Sequence, residues 1–153
     1  MTIDYSRTTP APAPKWAHHL GVLILRVATG GSLIAWHCAP KAMAGWAHIW
    51  DKTPWPFPDE LANMGFPMAL PLALSLVVIT LLGSIFIILG LLTRPMAFVL
   101  AVFSIVTALL YHSYPTTAPM AVLYAGSFLA IALCGPGLFA CDRALRALSQ
   151  RRA

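Results

Sequence analysis

The chain has 153 residues, of which 59% are hydrophobic and 10% charged, and it carries a net charge of +5. Soluble domains contain about 25% charged residues, so this composition excludes a water-facing globular domain. The basic residues lie at the ends of apolar stretches, where membrane orientation explains them, and we predict no nucleic-acid partner. The three cysteines include no CxxC pair, which argues against a disulfide scaffold and a structural zinc site.

The first third of the chain predicts an arm, a span and a surface segment. Residues 1–15 end in alternating proline and alanine and predict a flexible N-terminal arm. The first membrane span is predicted from about Trp16 to Cys38. In residues 39–67, the spacing of Met43, Trp46 and Trp50 predicts a short helix lying flat in the membrane interface.

The stretch TPWPFPDE follows, and its three prolines, Pro54, Pro56 and Pro58, predict an irregular turn. The three tryptophans of this region either anchor it in the interface or form a docking surface for other membrane subunits. They are Trp46, Trp50 and Trp55.

Three further apolar stretches predict three more spans. They run from about Met68 to Leu92, from about Pro95 to Ser113, and from near Pro119 to a break at Gly135. Residues 141–153 then read as a basic, amphipathic C-terminal tail on the lipid headgroups. The prediction is an all-α, four-helix transmembrane bundle, with residues 16–140 forming one membrane domain in contact with the bilayer.

The distribution of Lys and Arg predicts the orientation of the bundle. Four spans put both termini on one side, together with most of the basic residues, whereas the other side has Lys41 and Lys52. Positive residues concentrate in the cytoplasm. We therefore predict that both termini are cytoplasmic and that the Trp- and Pro-rich segment is extracytoplasmic.

Arg26 lies near the middle of the first span, where a charge costs about 2.5–3.5 kcal/mol on insertion scales. The guanidinium either extends to the interface or faces the bundle interior. Helical spacing favours the interior, because Gly30, Leu33, His37 and Lys41 share its face. No predicted span contains an acid, which leaves hydroxyls, backbone carbonyls, trapped water or a quinone carbonyl as partners of Arg26.

Polar residues at mid-span predict a polar layer around Arg26. They are Thr80, Ser84, Ser104, Thr107, Tyr124 and Ser127. His37 and His112 end two spans on the same side. They either bond water and carbonyls, ligate a metal or haem, or relay protons to a quinone. No third protein ligand is evident nearby, and we predict no metal site.

The order of several short motifs resembles the DoxX family of small four-helix membrane proteins. The resemblance rests on Arg26, Gly30, His37 and Lys41, then on LLGSIFIILGLLTRPMA and GPGLFACD. The positions it picks out further on are Gly83, Gly90, Arg94, Gly135, Gly137 and Asp142. It implies a multi-pass protein of the bacterial inner membrane, and the family includes the small subunit of a thiosulfate:quinone oxidoreductase. Members often have a glutamate where this chain has Thr80, and that acid would be the expected partner of Arg26.

These patterns contain no nucleophile–base pair, so the chain is not expected to be catalytic alone. The resemblance implies an accessory subunit of a quinone-linked oxidoreductase complex, with quinone as the only candidate cofactor. Its candidate contacts to a quinone or to the polar layer are Arg26, Gly30, His37, Lys41, Thr80 and His112. The alternatives are a small transporter or channel with a constriction at Arg26, and a purely structural or assembly protein.

Overall fold

A computed structural model describes residues 15–113, 115–135, 137 and 140. All the regular structure in these residues is helical. The helices are α1 (Lys15–Leu33), a π-helical segment (Ile34–Cys38), α2 (Ala39–Asp51), α3 (Pro56–Asn63), α4 (Ala69–Leu89), α5 (Thr93–Leu110) and α6 (Thr117–Cys134). The predicted N-terminal arm lies outside the described residues but for Lys15, and the predicted tail lies outside them entirely.

Four helices in this part of the chain are long and apolar enough to cross a membrane. Three of them, α4, α5 and α6, contain 21, 18 and 18 residues. At 1.5 Å per residue these lengths match a hydrocarbon core of about 30 Å. The prediction of an all-α bundle with four spans is confirmed.

The first span differs from the prediction, because the helix does not end at Cys38. It continues through the π-helical segment into α2 and is unbroken from Trp16 to Asp51, a stretch of 36 residues. Its length, about 54 Å, exceeds the hydrocarbon thickness. The π turns immediately precede Pro40, which has no N–H and whose ring crowds the carbonyl four residues earlier. Widening of the helix lets the chain pass this proline without breaking.

The prediction of an irregular turn after Trp55 is also wrong. Residues Pro56–Asn63 form α3, which begins on Pro56 after an extended Trp55. A proline is tolerated in the first helical turn, where its missing N–H would have no intrahelical partner. Pro56 and Pro58 therefore start a helix.

Large aliphatic and aromatic residues hold the bundle together. Ile87, Leu100, Phe128 and Ile131 are almost completely buried in its centre. The α5–α6 pair is the most extensive helix contact, and α1 packs against α4. A second core at the α3 end consists of Trp55, Phe57, Leu61 and Ala73. Many large apolar side chains outside both cores are exposed, as expected for a surface that faces lipid.

Candidate functional site

A cavity of about 720 Å³ lies in the half of the bundle that carries α3. Helices α3, α4 and α5 surround it together with the long first helix and the start of α6. Its volume falls in the range of small-molecule sites, about 300–1,000 Å³. The polar residues in its lining are His37, Lys41, Glu60, Asn63, Thr80, Ser104, Thr107, Tyr111 and Thr117. The remaining wall is largely aliphatic and aromatic, so the cavity suits an amphipathic molecule.

One wall carries the hydroxyl groups of α4 and α5. Thr80, Ser104 and Thr107 each donate a hydrogen bond to the backbone carbonyl four residues earlier, at 2.6, 2.8 and 2.9 Å. Such bonds satisfy the hydroxyl proton within the helix. The oxygen lone pairs of these side chains remain able to accept hydrogen bonds.

The opposite wall comes from the long first helix, which contributes His37 and Lys41 one turn apart. The His37 ring packs edge-on against Tyr124, with ring centroids 5.4 Å apart. Its Nδ1 atom is buried and has no hydrogen-bond partner in the described structure. The Lys41 ammonium lies 3.7 Å from the centre of the Phe57 ring, a cation–π contact.

Helix α3 closes the cavity at its outer end. Phe57 and Leu61 anchor the helix in the second core, and Glu60 and Asn63 line the cavity. The hydroxyl of Tyr111, just after α5, donates to the Glu60 carboxylate at 3.2 Å. This bond joins α3 to the end of α5.

Arg26 faces the bundle interior and is 1% exposed, but it does not line the cavity. Its Nε donates to the carbonyl oxygen of Ile87 at 2.8 Å, and one terminal nitrogen donates to that of Ile88 at 3.1 Å. The last carbonyls of a helix lack intrahelical partners and carry the negative end of its dipole. Of the partners predicted for Arg26, backbone carbonyls are therefore in place.

The predicted polar layer is divided in the structure. Thr80 lies seven residues before Ile87 on α4, a separation of about 10 Å along the helix, and Thr80 belongs to the cavity wall. Ser84 donates within α4, to the carbonyl of Thr80. A side chain at position 80 is thus placed to face the cavity, and the expected role of an acid there as the partner of Arg26 does not fit this geometry.

The other predicted site residues have separate surroundings. Gly30 lies against α4, close to Ile88 and the Ser84 carbonyl. His112 is exposed, and its Nδ1 lies 3.1 Å from the carbonyl oxygen of Leu109. Of the six predicted residues, His37, Lys41 and Thr80 come together in the cavity, whereas Arg26, Gly30 and His112 do not line it.

The three tryptophans also separate. Trp46 and Trp50 are each 66% exposed on α2, with ring centroids 5.5 Å apart. Trp55 is 4% exposed and packs over Gly45. A docking surface that includes Trp55 is therefore wrong, because its ring is needed to hold α3 against α2.

Sequence reasoning missed Glu60, Asn63 and Tyr111 as cavity residues. Glu60 ends the stretch TPWPFPDE, which was predicted to be a turn, and Asn63 follows shortly after it. Tyr111 ends a span, where an interfacial tyrosine is ordinary. Within Pro56–Asn63, the apolar Phe57 and Leu61 are four residues apart. That spacing was the available signal for an amphipathic helix.

Comparison with known proteins agrees with this architecture. The DoxX family model matches residues 21–113, well over half of the chain. The chain belongs to the DoxX family. It is also similar to the inner membrane protein YphA of Escherichia coli, with 32% identity over 94 residues that cover 54% of this chain and 67% of the relative. No solved structure matches the chain.

The family match extends from the start of the long first helix to the end of α5 and so includes most of the cavity wall. The DoxX-like position Asp142 lies outside the described residues. Four apolar helices and an inner-membrane relative identify the protein as a multi-pass protein of the bacterial inner membrane.

Proposed function

We propose that this DoxX-family protein is a membrane subunit of a quinone-linked oxidoreductase complex and that its cavity holds the quinone headgroup. The observation that carries the proposal is the cavity itself, about 720 Å³ within the membrane bundle. It combines aliphatic and aromatic walls with polar groups that can fix the orientation of a ligand, as cofactor sites do.

Two groups on the first helix fit a quinone ring. The Lys41 ammonium is a hydrogen-bond donor without acceptor capacity, and it can donate to a carbonyl oxygen of the ring. The buried Nδ1 of His37 has no partner among the described residues, and it can donate or accept according to its tautomer. A bound quinone supplies the redox chemistry, and the protein's residues hold and orient it.

The exposed pair Trp46 and Trp50 supports attachment to another subunit. The long first helix exceeds the hydrocarbon thickness, and α2 forms its distal part. Aromatic side chains are enriched where subunits meet. No metal-binding cluster is found among the described residues. We propose that the redox partner carries the centre that exchanges electrons with the bound quinone.

Protection of Cys38 from a thiol reagent tests the cavity directly. Cys38 lines the cavity but is only 3% exposed, so N-ethylmaleimide should modify this thiol slowly and through the cavity. The labelling rate of the ligand-free protein, followed until modification is measurable, is the reference. The experiment uses full-length protein with Cys134→Ser and Cys141→Ser, in nanodiscs, with and without decylubiquinone. Decylubiquinone is chosen because its ring is fully substituted and does not alkylate thiols. Bound quinone should slow the modification at least about tenfold.

The matched variants are Lys41→Met and Lys52→Met. Lys41 lines the cavity, whereas Lys52 is exposed beyond α2. Protection should weaken in the first variant and remain in the second. If the protein that retains Lys41 and Lys52 is labelled at the same rate with and without decylubiquinone, the quinone site is refuted.

Purification from native membranes tests the association with a complex. In mild detergent, the protein should migrate with a partner that has a flavin, haem or iron–sulfur spectrum, and Trp46→Ala with Trp50→Ala should reduce that co-migration. Isolation as a single 16.5 kDa chain without any chromophoric partner would refute the subunit role, even if quinone binds.

The sequence also left open a channel with a constriction at Arg26, and the position of Arg26 in the bundle does not support it. A guanidinium hydrogen-bonded to the end of α4 and absent from the cavity lining is placed to stabilise helix packing.

A further inference from the structure

The hydrogen-bonding capacity of the cavity is biased toward acceptors. Thr80, Ser104 and Thr107 have each committed their single hydroxyl proton to a carbonyl of their own helix. These three groups therefore offer lone pairs to a ligand and can donate to it only by giving up an existing bond.

The bond between α3 and the end of α5 adds to this bias. Tyr111 donates its hydroxyl proton to Glu60, and an ionised carboxylate can only accept. Among the described lining residues, the side chains with N–H groups for a ligand are Lys41, Asn63 and His37. The N–H donors are thus grouped on the first helix and α3, α4 and α5 present acceptors, and α6 adds the hydroxyl of Thr117.

We infer that the cavity binds the reduced, hydroxyl-bearing quinol more tightly than the quinone. This inference rests on the proposed function. A quinone has only acceptor oxygens, on opposite sides of its ring. One oxygen can accept from Lys41, His37 or Asn63, but the other then faces the lone pairs along α4 and α5. A quinol can accept from Lys41 through one oxygen and donate its hydroxyl protons to Thr80, Ser104 or Thr107.

This preference has a consequence for electron transfer. Binding the reduced form more tightly raises the reduction potential of the bound couple, by about 30 mV for each tenfold ratio of affinities in a two-electron couple. The bound quinone is then easier to reduce than quinone free in the bilayer. Such a site suits a complex that delivers electrons into the quinone pool.

The test compares one redox pair, decylubiquinone and decylubiquinol, under anaerobic conditions on the full-length protein in nanodiscs. Dissociation constants come from the protection of Cys38 described above. Two additional neutral hydrogen bonds correspond to about a tenfold difference in affinity, and we expect decylubiquinol to bind about tenfold more tightly or better.

Substitutions of the hydroxyl residues on α4 and α5 test whether these residues cause the preference for decylubiquinol. Thr80→Val and Ser104→Ala should each lower the ratio of decylubiquinol affinity to decylubiquinone affinity about threefold to tenfold. Ser75→Ala is the control, because Ser75 makes the same type of bond, to the carbonyl of Pro71, on the exposed side of α4. It should change neither affinity. Thermal unfolding of each variant verifies that the bundle is intact.

The outcomes separate the inference from the proposed function. Equal affinities, or tighter binding of decylubiquinone, would overturn the inference and leave the quinone site standing. A preference for decylubiquinol that persists in both wall variants would also overturn it, because the selecting groups would then lie elsewhere. Failure of both ligands to protect Cys38 would overturn the proposed function and the inference together.

Discussion

Arg26 lies directly against Gly90, and a side chain at position 90 would overlap the guanidinium. Gly90 ends α4 with a φ angle of +74°, and its N–H and that of Leu91 bond back to Ile87 and Phe86. The glycine thus turns the chain in a conformation that L residues disfavour, and it leaves room for the arginine to reach the last carbonyls of the helix.

Substitution of Gly90 by alanine should destabilise the protein through both effects. The left-handed conformation alone costs an L residue about 1–2 kcal/mol, and overpacking against Arg26 and Ala140 adds about 1–3 kcal/mol. Gly65→Ala is the matched control, because Gly65 has a φ of +86° but open space around its Cα. Thermal unfolding in detergent should show a clearly larger fall in Tm for Gly90→Ala. Equal shifts for the two variants would mean that the contact with Arg26 has no energetic weight.

Replacement of Arg26 distinguishes a helix-capping role from a ligand-binding role. Arg26→Met removes the charged donor from the carbonyls of Ile87 and Ile88, and a hydrogen bond to a charged group contributes about 1.5–3 kcal/mol. We expect a lower Tm, with Arg26→Lys intermediate because an ammonium cannot reproduce the planar fork.

The affinity of Arg26→Lys for decylubiquinone provides the second readout. Arg26 is not part of the cavity lining, and binding should remain within about twofold of the unsubstituted protein. A large loss of affinity without loss of Tm would instead place Arg26 in the ligand site.

Two neighbouring glycines in α1 allow a stringent test of the α1–α4 contact. A Cβ at Gly30 would lie 2.7 Å from Ile88 and 3.2 Å from the backbone oxygen of Ser84, whereas a Cβ at Gly31 would meet nothing within 4 Å. Gly31→Ala should be neutral or stabilising by up to about 1 kcal/mol, as expected in a helix interior. Gly30→Ala should lower Tm, because the backbone of α4 must move away. The same effect from both substitutions would be inconsistent with close packing at Gly30.

The parts of this fold that could be predicted are those that depend on the composition of a short stretch of the chain. An apolar stretch as long as α4 can form only a membrane helix, and the break predicted at Gly135 is where α6 ends. The end of the second span was predicted at about Leu92, whereas α4 ends at Leu89. The inward direction of Arg26 followed from its spacing to Gly30, and the structure agrees. Its partners did not follow, because the carbonyls of Ile87 and Ile88 have no signature in the side-chain sequence.

The cavity could be predicted only in part for a related reason. His37 and Lys41 share a helix face and were found by their spacing, but Glu60 and Tyr111 are 51 positions apart in the chain. Their contact depends on how α3 folds over the bundle. Local rules gave the wrong structure for α3, since they treat a cluster of prolines as a break, whereas Pro56 occupies the one helical turn that tolerates it.

Orientation in the membrane leads to a final prediction. Arg26, in the first third of the long first helix, contacts the carbonyls of Ile87 and Ile88, and Gly30, one turn further on, lies against the Ser84 carbonyl. The first helix and α4 are therefore antiparallel, and Arg94, at the start of α5, lies at the same end of the bundle as the start of α1. Lys52, which follows α2, lies at the opposite end. Positive residues concentrate on the cytoplasmic side, and the start of α1 and Arg94 should face the cytoplasm.

Single cysteines at exposed positions 52 and 94 test this orientation in a chain whose three native cysteines are replaced by serine. In intact cells, a membrane-impermeant maleimide should modify Lys52→Cys and leave Arg94→Cys unmodified. Permeabilised cells serve as the control, because both positions are exposed and both should then react. The opposite labelling pattern would show that the bundle has the inverted orientation. The cavity, which lies at the α3 end, would then face the cytoplasm.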